Sequence, residues 1–139
     1  MYIFDGAMGT MLQAAGLEEG YCPELFNVER PEVVKNIHAQ YLQHGSDVIT
    51  TNTFGACGLK LEDYDLQDCV KEINIAAVKV AKEAIAEFKP SARVAGSMGP
   101  TGRFLQPLGN MSFDSIYDTY REQAEALIEG GVDFIIIET

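Results

Sequence analysis

Four short apolar runs alternate along the chain with stretches of helical periodicity, and each run closes on polar or small residues. They are Tyr2 to Asp5, Asp47 to Thr51, Arg93 to Ser97 and Val132 to Glu138. Short runs rich in β-branched and aromatic residues, bounded by Gly, Pro, Asp or Ser, predict strands. Helical patterns fill the gaps. Pro31 in the first turn of Arg30-Pro31-Glu32 opens one helix, whose apolar positions Val33, Val34, Ile37, Tyr41 and Leu42 precede Gly45. A second runs from Leu66 to Phe88, with Val70, Ile73, Ala77, Val80, Ala81, Ala84 and Ile85 on one stripe, until Lys89-Pro90 stops it. Ser112 is the expected N-cap of a third, which carries Ile116, Tyr120, Ala124, Leu127 and Ile128 and ends at Gly130-Gly131.

Strands alternating with helices imply right-handed βαβ units and a parallel α/β sheet. Two closures compete. A doubly wound sheet usually opens on a Gly-rich phosphate turn, whereas a (β/α)8 barrel uses longer, varied loops after its strands. The loops after the first and third runs are long and built of small and polar residues, which favours the barrel. Four strands and three main helices make only its first half, so residues 1–139 are expected to be the N-terminal half of one TIM-barrel domain. Each terminal strand of such a half-barrel exposes an unpaired edge, able to pair with a second copy or a separate half.

Composition narrows the function classes. The formal net charge of −11 sets nucleic acid and anionic membranes aside as partners. No apolar run approaches the ~18 residues of a membrane helix, and no signal peptide is expected. Cys22, Cys57 and Cys69 match no metal-ligand spacing and fit passive thiols in a reduced, cytoplasmic protein. His38 and His44 are expected at the surface or helix end of the first helix, and Arg103 in solvent. No strand-end Lys supports Schiff-base chemistry, and no Ser/His/Asp or Cys/His arrangement is visible.

The candidate chemistry gathers where strands end. Asp5-Gly6-Ala7-Met8-Gly9-Thr10 sets a carboxylate beside backbone amides that can form an anion-binding nest, which suits a zwitterion: Asp5 for an ammonium, Gly6, Ala7 and Met8 for a carboxylate. The same spacing reads equally well as a Gly-rich turn capped by Asp. Thr50-Thr51-Asn52-Thr53-Phe54-Gly55-Ala56 is polar with one aromatic. Asn52 and Thr53 can orient a ligand there, although ordinary strand-end turn chemistry is the plainer reading. Gly96-Ser97-Met98-Gly99-Pro100-Thr101-Gly102 is a small-residue loop without the Lys of a P-loop. Glu138 follows four apolar residues, so if buried it requires a cation or a donor. Asp5 and Glu138 on one rim can share an ammonium. At the last strand end, Glu138 can equally be frayed and solvated.

Taken in order, these motifs resemble the homocysteine S-methyltransferase family. With Leu25-Phe26-Asn27, Arg30-Pro31-Glu32 and Ile137-Glu138-Thr139, they are most similar to the homocysteine-binding module of its cobalamin-dependent, methionine-forming members. The resemblance covers essentially the whole chain but only the first half of the family's barrel. It implies L-homocysteine as substrate, with Asp5 and Glu138 on its ammonium and the amides of Gly6, Ala7 and Met8 on its carboxylate. Asn52, Thr53, Gly99, Pro100 and Thr101 would line the pocket. It further implies zinc as the thiol-activating metal, methylcobalamin as methyl donor, and corrinoid and folate modules as partners. The family's zinc cysteines fall beyond Thr139, so no metal role passes to Cys22, Cys57 or Cys69, and the chain alone is expected to be inactive. The alternative is a non-catalytic half-barrel that binds an amino acid or associates with a partner.

Overall fold

A computed structural model describes all residues, Met1–Thr139. Its sheet has three parallel strands in the order β1 (Val48–Thr50), β2 (Arg93–Met98) and β3 (Phe134–Ile137). Six α-helices surround it: α1 (Gly9–Ala14), α2 (Phe26–Glu29), α3 (Pro31–Gln43), α4 (Gly58–Leu61), α5 (Val70–Phe88) and α6 (Phe113–Gly130). The expected parallel α/β order is therefore present, with α3, α5 and α6 as the three long helices. The short α1, α2 and α4, invisible to a search for long periodic runs, lie in the connecting segments.

The expected first strand is reduced to a single parallel bridge, Phe4 to Val48. The reason is local. The Ile3 amide donates to the Asp47 carboxylate at 3.0 Å on one side of the bridge, and the Thr50 N–H donates to the Asp5 carboxylate at 2.9 Å on the other. Those bonds take the groups that would extend a ladder. The second helix also begins later than Leu66, because Gln67–Cys69 forms a tighter 3₁₀ turn ahead of Val70.

Side chains alternate across the strands. Ile49 and Val94 face outward and pack with Leu42 of α3 and Ala81 and Ala84 of α5. Met98 joins Val78 of α5 and Leu127 of α6. Phe4 and Phe134 meet edge to face with centroids 6.1 Å apart, although β1 and β2 lie between their segments. A flat sheet would hold these segments ~14 Å apart, three steps of ~4.8 Å. Contact on that scale requires the sheet to curl toward its inner face.

Caps follow the sequence. Ser112 Oγ accepts the Ser115 N–H at 3.1 Å, and Gly131 closes α6 in the left-handed region at φ 88°. His38 departs from expectation, being fully buried on α3. His44, by contrast, is exposed at the helix end. No helix is long and apolar enough to cross a membrane.

Candidate functional site

A cavity of about 690 Å³ opens at the C-terminal ends of the strands. Asp5, Gly6, Ala7 and Met8 line one side; Thr50 to Phe54, Ser97, Ile136 and Glu138 line the rest. The inward-facing residue at each strand end is polar, so the pleat itself aims chemistry at this rim.

Asp5 is half-buried and accepts two hydrogen bonds from one residue: Thr50 N–H at 2.9 Å and Thr50 Oγ1. Burial still pushes its pKa above the ordinary value, against those bonds, with the Glu138 charge adding a small push in the same direction. Glu138 Oε1 accepts from Ser97 Oγ at 2.5 Å. Its backbone N–H donates to Met98 O at 3.0 Å, so the residue continues the pairing with β2 and is not frayed. The Gly6, Ala7 and Met8 amides make no backbone hydrogen bond, and all three residues border the cavity. Tyr41 of α3 fixes this loop by donating its hydroxyl to Ala7 O at 2.8 Å. A Cβ on Gly6 would lie 3.0 Å from that hydroxyl oxygen, so the close approach is made by a glycine.

Asn52 and Thr53 reach the cavity but are committed to the scaffold. Asn52 Nδ2 donates to Pro23 O at 2.9 Å, and Asn52 O accepts from Asn27 Nδ2 at 2.7 Å. Thr53 Oγ1 donates to Ser97 O at 2.7 Å, and Thr53 O accepts from Gln123 Nε2 at 2.8 Å. Gly99 is buried against Phe54 and does not border the cavity. Pro100 and Thr101 line a neighbouring hollow with Phe104, Leu105 and Leu108. Arg103 is not a free solvated cation: it pairs with Asp63 at 2.7 Å and ties the loop after β2 to the segment after α4.

Glu24 is the wall residue that sequence reasoning missed. It is buried, borders the cavity, and accepts the Gly55 N–H at 2.7 Å. The available signal was an acid set between Pro23 and the apolar Leu25-Phe26, where solvent exposure is a poor expectation.

The residues present do not fit zinc. Cys22, Cys57 and Cys69 are free thiols, and no three His, Cys, Asp or Glu converge in a metal-holding group. Burial pushes the Cys22 thiol up to about 12, and the nearby Glu24 charge adds to this. A thiolate ligand needs the opposite shift.

A family model described as "Homocysteine S-methyltransferase" matches residues 2–139. Methionine synthase of Mycobacterium tuberculosis is 40% identical over 145 residues, covering 97% of this chain and 12% of that protein. The Mycobacterium leprae methionine synthase is 38% identical with the same coverage. The chain thus spans about an eighth of these relatives' length. Among solved structures, the metallated form of the homocysteine methyltransferase MmuM from Escherichia coli superposes with a TM-score of 0.81 at 27% identity, covering 99% of this chain and 53% of that one. Its oxidised form gives a TM-score of 0.79 at 26% identity, covering 97% and 51%. Matched from its second residue to its last, the chain belongs to the homocysteine S-methyltransferase family.

Proposed function

We propose that residues 1–139 form the amino-acid-binding half of a (β/α)8 barrel that transfers a methyl group to the thiol of L-homocysteine to make methionine. The observation that carries this reading is the pair of anchored carboxylates, Asp5 and Glu138, on one cavity with the unpaired amides of Gly6, Ala7 and Met8. An α-amino acid presents an ammonium and a carboxylate close together, and this wall offers acceptors and donors for both.

In this reading Asp5 and Glu138 hold the ammonium, with Thr50 and Ser97 fixing the orientation of each acid. The 6–8 amides take the carboxylate. Asn52 and Thr53 act through the shape of the loop they hold, Gly99 through its close contact with Phe54, and Pro100 and Thr101 as the wall of the neighbouring hollow. Holding the zwitterion in this way directs its side-chain sulfur to a fixed place, the positioning part of the catalysis. The thiol-activating zinc is assigned to residues outside this chain. Methylcobalamin, held with corrinoid and folate modules elsewhere in the complete protein, would supply the methyl group. Free cysteines fit a cytoplasmic setting.

The half-barrel assignment draws on the curl of the sheet and on the apolar surface left at its end. Ile137 is 86% exposed and Phe113 is 69% exposed. Together with Tyr117, Ile116 and Ile135 they border one largely apolar hollow, the side where a further strand and helix would pack. The alternative, self-association through these edges, is read from molecular mass in solution: a monomer that completes only with the second barrel half favours the methyltransferase, a stable symmetric dimer the association module.

Isothermal titration with L-homocysteine tests the site in the completed barrel. Binding that is lost in Asp5→Ala and Glu138→Ala supports it; unchanged affinity in both variants overturns it. Methyl transfer by the 139-residue chain alone would overturn the assignment of the metal to residues outside it.

A further inference from the structure

Three backbone and side-chain contacts from one short segment hold the loop after β1. Pro23 O takes Asn52 Nδ2, Asn27 Nδ2 reaches Asn52 O, and Glu24 Oε1 takes the Gly55 N–H. The third differs in kind. Glu24 is a buried carboxylate whose partners are an amide at 2.7 Å and, through Oε2, the Cys22 thiol at 3.4 Å. Neither is a cation. A carboxylate buried without one is expensive, and a neutral side chain could accept the same amide at lower cost.

The peptide group it grips joins two loops. Its N–H end, on Gly55, faces Glu24. Its C=O end, on Phe54, accepts the Gly99 N–H at 3.0 Å. A carboxylate acceptor strengthens the N–H bond and polarises the peptide, which strengthens its carbonyl as an acceptor. Both contacts are too close for a larger residue. A Cβ on Gly55 would lie 2.8 Å from Glu24 Oε1, and one on Gly99 would lie 2.6 Å from Phe54 O. Gly55 has no Cβ to resist a peptide rotation, so the carboxylate is the restraint.

We infer that Glu24 is a positioning residue of the substrate pocket. By fixing the Phe54–Gly55 peptide, it locks the loop after β1 to the loop after β2 and sets the wall that Phe54 presents to the cavity. This rests on the proposed homocysteine site, because the pocket it shapes is that site.

The test uses the full-length protein with Glu24→Ala and Glu24→Gln. Two readouts are taken: the KM and kcat for homocysteine, and amide hydrogen exchange in peptides covering residues 53–57 and 97–101. Glu24→Ala is expected to speed exchange in both peptides and raise KM about tenfold with kcat within about threefold, the loss of one charge-assisted bond. Glu24→Gln keeps an acceptor for Gly55 and restores slow exchange in both peptides, with KM brought back to within about threefold of the parent. Unchanged exchange in Glu24→Ala, or faster exchange in 53–57 that 97–101 does not follow, overturns the inference. Should Glu24→Ala fail to fold, Glu24→Asp decides, its carboxylate being one methylene too short to reach the Gly55 N–H: faster exchange in both peptides supports the positioning role, unchanged exchange overturns it. A parent protein with no affinity for homocysteine would remove the functional reading, and the exchange data alone would then decide on Glu24.

Discussion

Asp5 and Glu138, near opposite ends of the chain, face one cavity, each held by a hydroxyl from a neighbouring strand. Thr50 at the end of β1 holds Asp5, and Ser97 within β2 holds Glu138. In both pairs the acid takes its donor from the adjacent strand, so the parallel pairing, a single Phe4–Val48 bridge beside Asp5 and the β2–β3 ladder beside Glu138, sets the direction in which each carboxylate points.

In the proposed site, Asp5 should impose a pH dependence on homocysteine binding. Burial raises its folded pKa above 3.8. The associated stability is fully present below the unfolded value and is lost as pH rises through the raised one. The charge therefore costs the fold stability at neutral pH, as expected of a group retained for a ligand. For the ligand the sign reverses, since an ammonium needs the ionised acid. Affinity should fall, as pH is lowered, at a higher pH than an ordinary Asp would produce. Asp5→Asn should weaken binding about tenfold at neutral pH and flatten the acid limb. Titration calorimetry across the acid range checks both, and an acid limb unchanged in the variant refutes the assignment.

Replacing Gly99 tests the contact between the two loops. A Cβ there would sit 2.6 Å from Phe54 O and 2.8 Å from the Phe54 ring. Backbone cannot yield as a flexible side chain does, so Gly99→Ala should cost ~1–3 kcal/mol. Urea midpoints give the value. A loss below ~0.5 kcal/mol would mean that the loops part easily.

The α6 cap offers a smaller, cleaner effect. Ser112 Oγ accepts the Ser115 N–H at the exposed helix start. Ser112→Ala should cost ~1 kcal/mol, and Ser112→Asp should restore it. Thermal melting of the two variants measures the difference; equal melting of Ser112→Ala and the parent would show that water caps the helix as well.

What was legible in the chain was whatever repeats or punctuates. Pro31, Ser112 and Gly131 mark helix ends by local chemistry, and the stripes of α3 and α5 record the faces they bury. Asp5 and Glu138 could be read because a polar residue closing an apolar run is visible in one dimension. Glu24 could not, since its partner Gly55 comes from another segment and meets it only in the fold. Pro100 and Thr101 share a motif with Gly99, yet the loop turns them away from the main cavity. Tyr2 to Asp5 has the composition of a strand, but the Asp47 carboxylate competes for the Ile3 amide. Sequence pattern carries no record of such a competitor.

His38 supplies the sharpest test of the buried interior. The ring is fully buried on α3, neither nitrogen has a hydrogen-bond partner, and burial lowers its pKa from 6.5 to about 4. The fold therefore favours the neutral ring. Between pH 6.5 and about 4 the unfolded chain binds the proton and the folded one does not. Stability should be full above the unfolded value and should fall as pH drops through this window. At 1.36 kcal/mol per unit, the loss reaches ~3 kcal/mol by its lower end. His38→Leu removes the titration and the unpartnered nitrogens while keeping an apolar side chain. Its urea midpoint should change less between pH 7 and pH 4.5 than the parent's does, as other acids still titrate in both. Parallel curves for the two proteins would show that His38 gains a partner or solvent when protonated, and that α3 yields at this position.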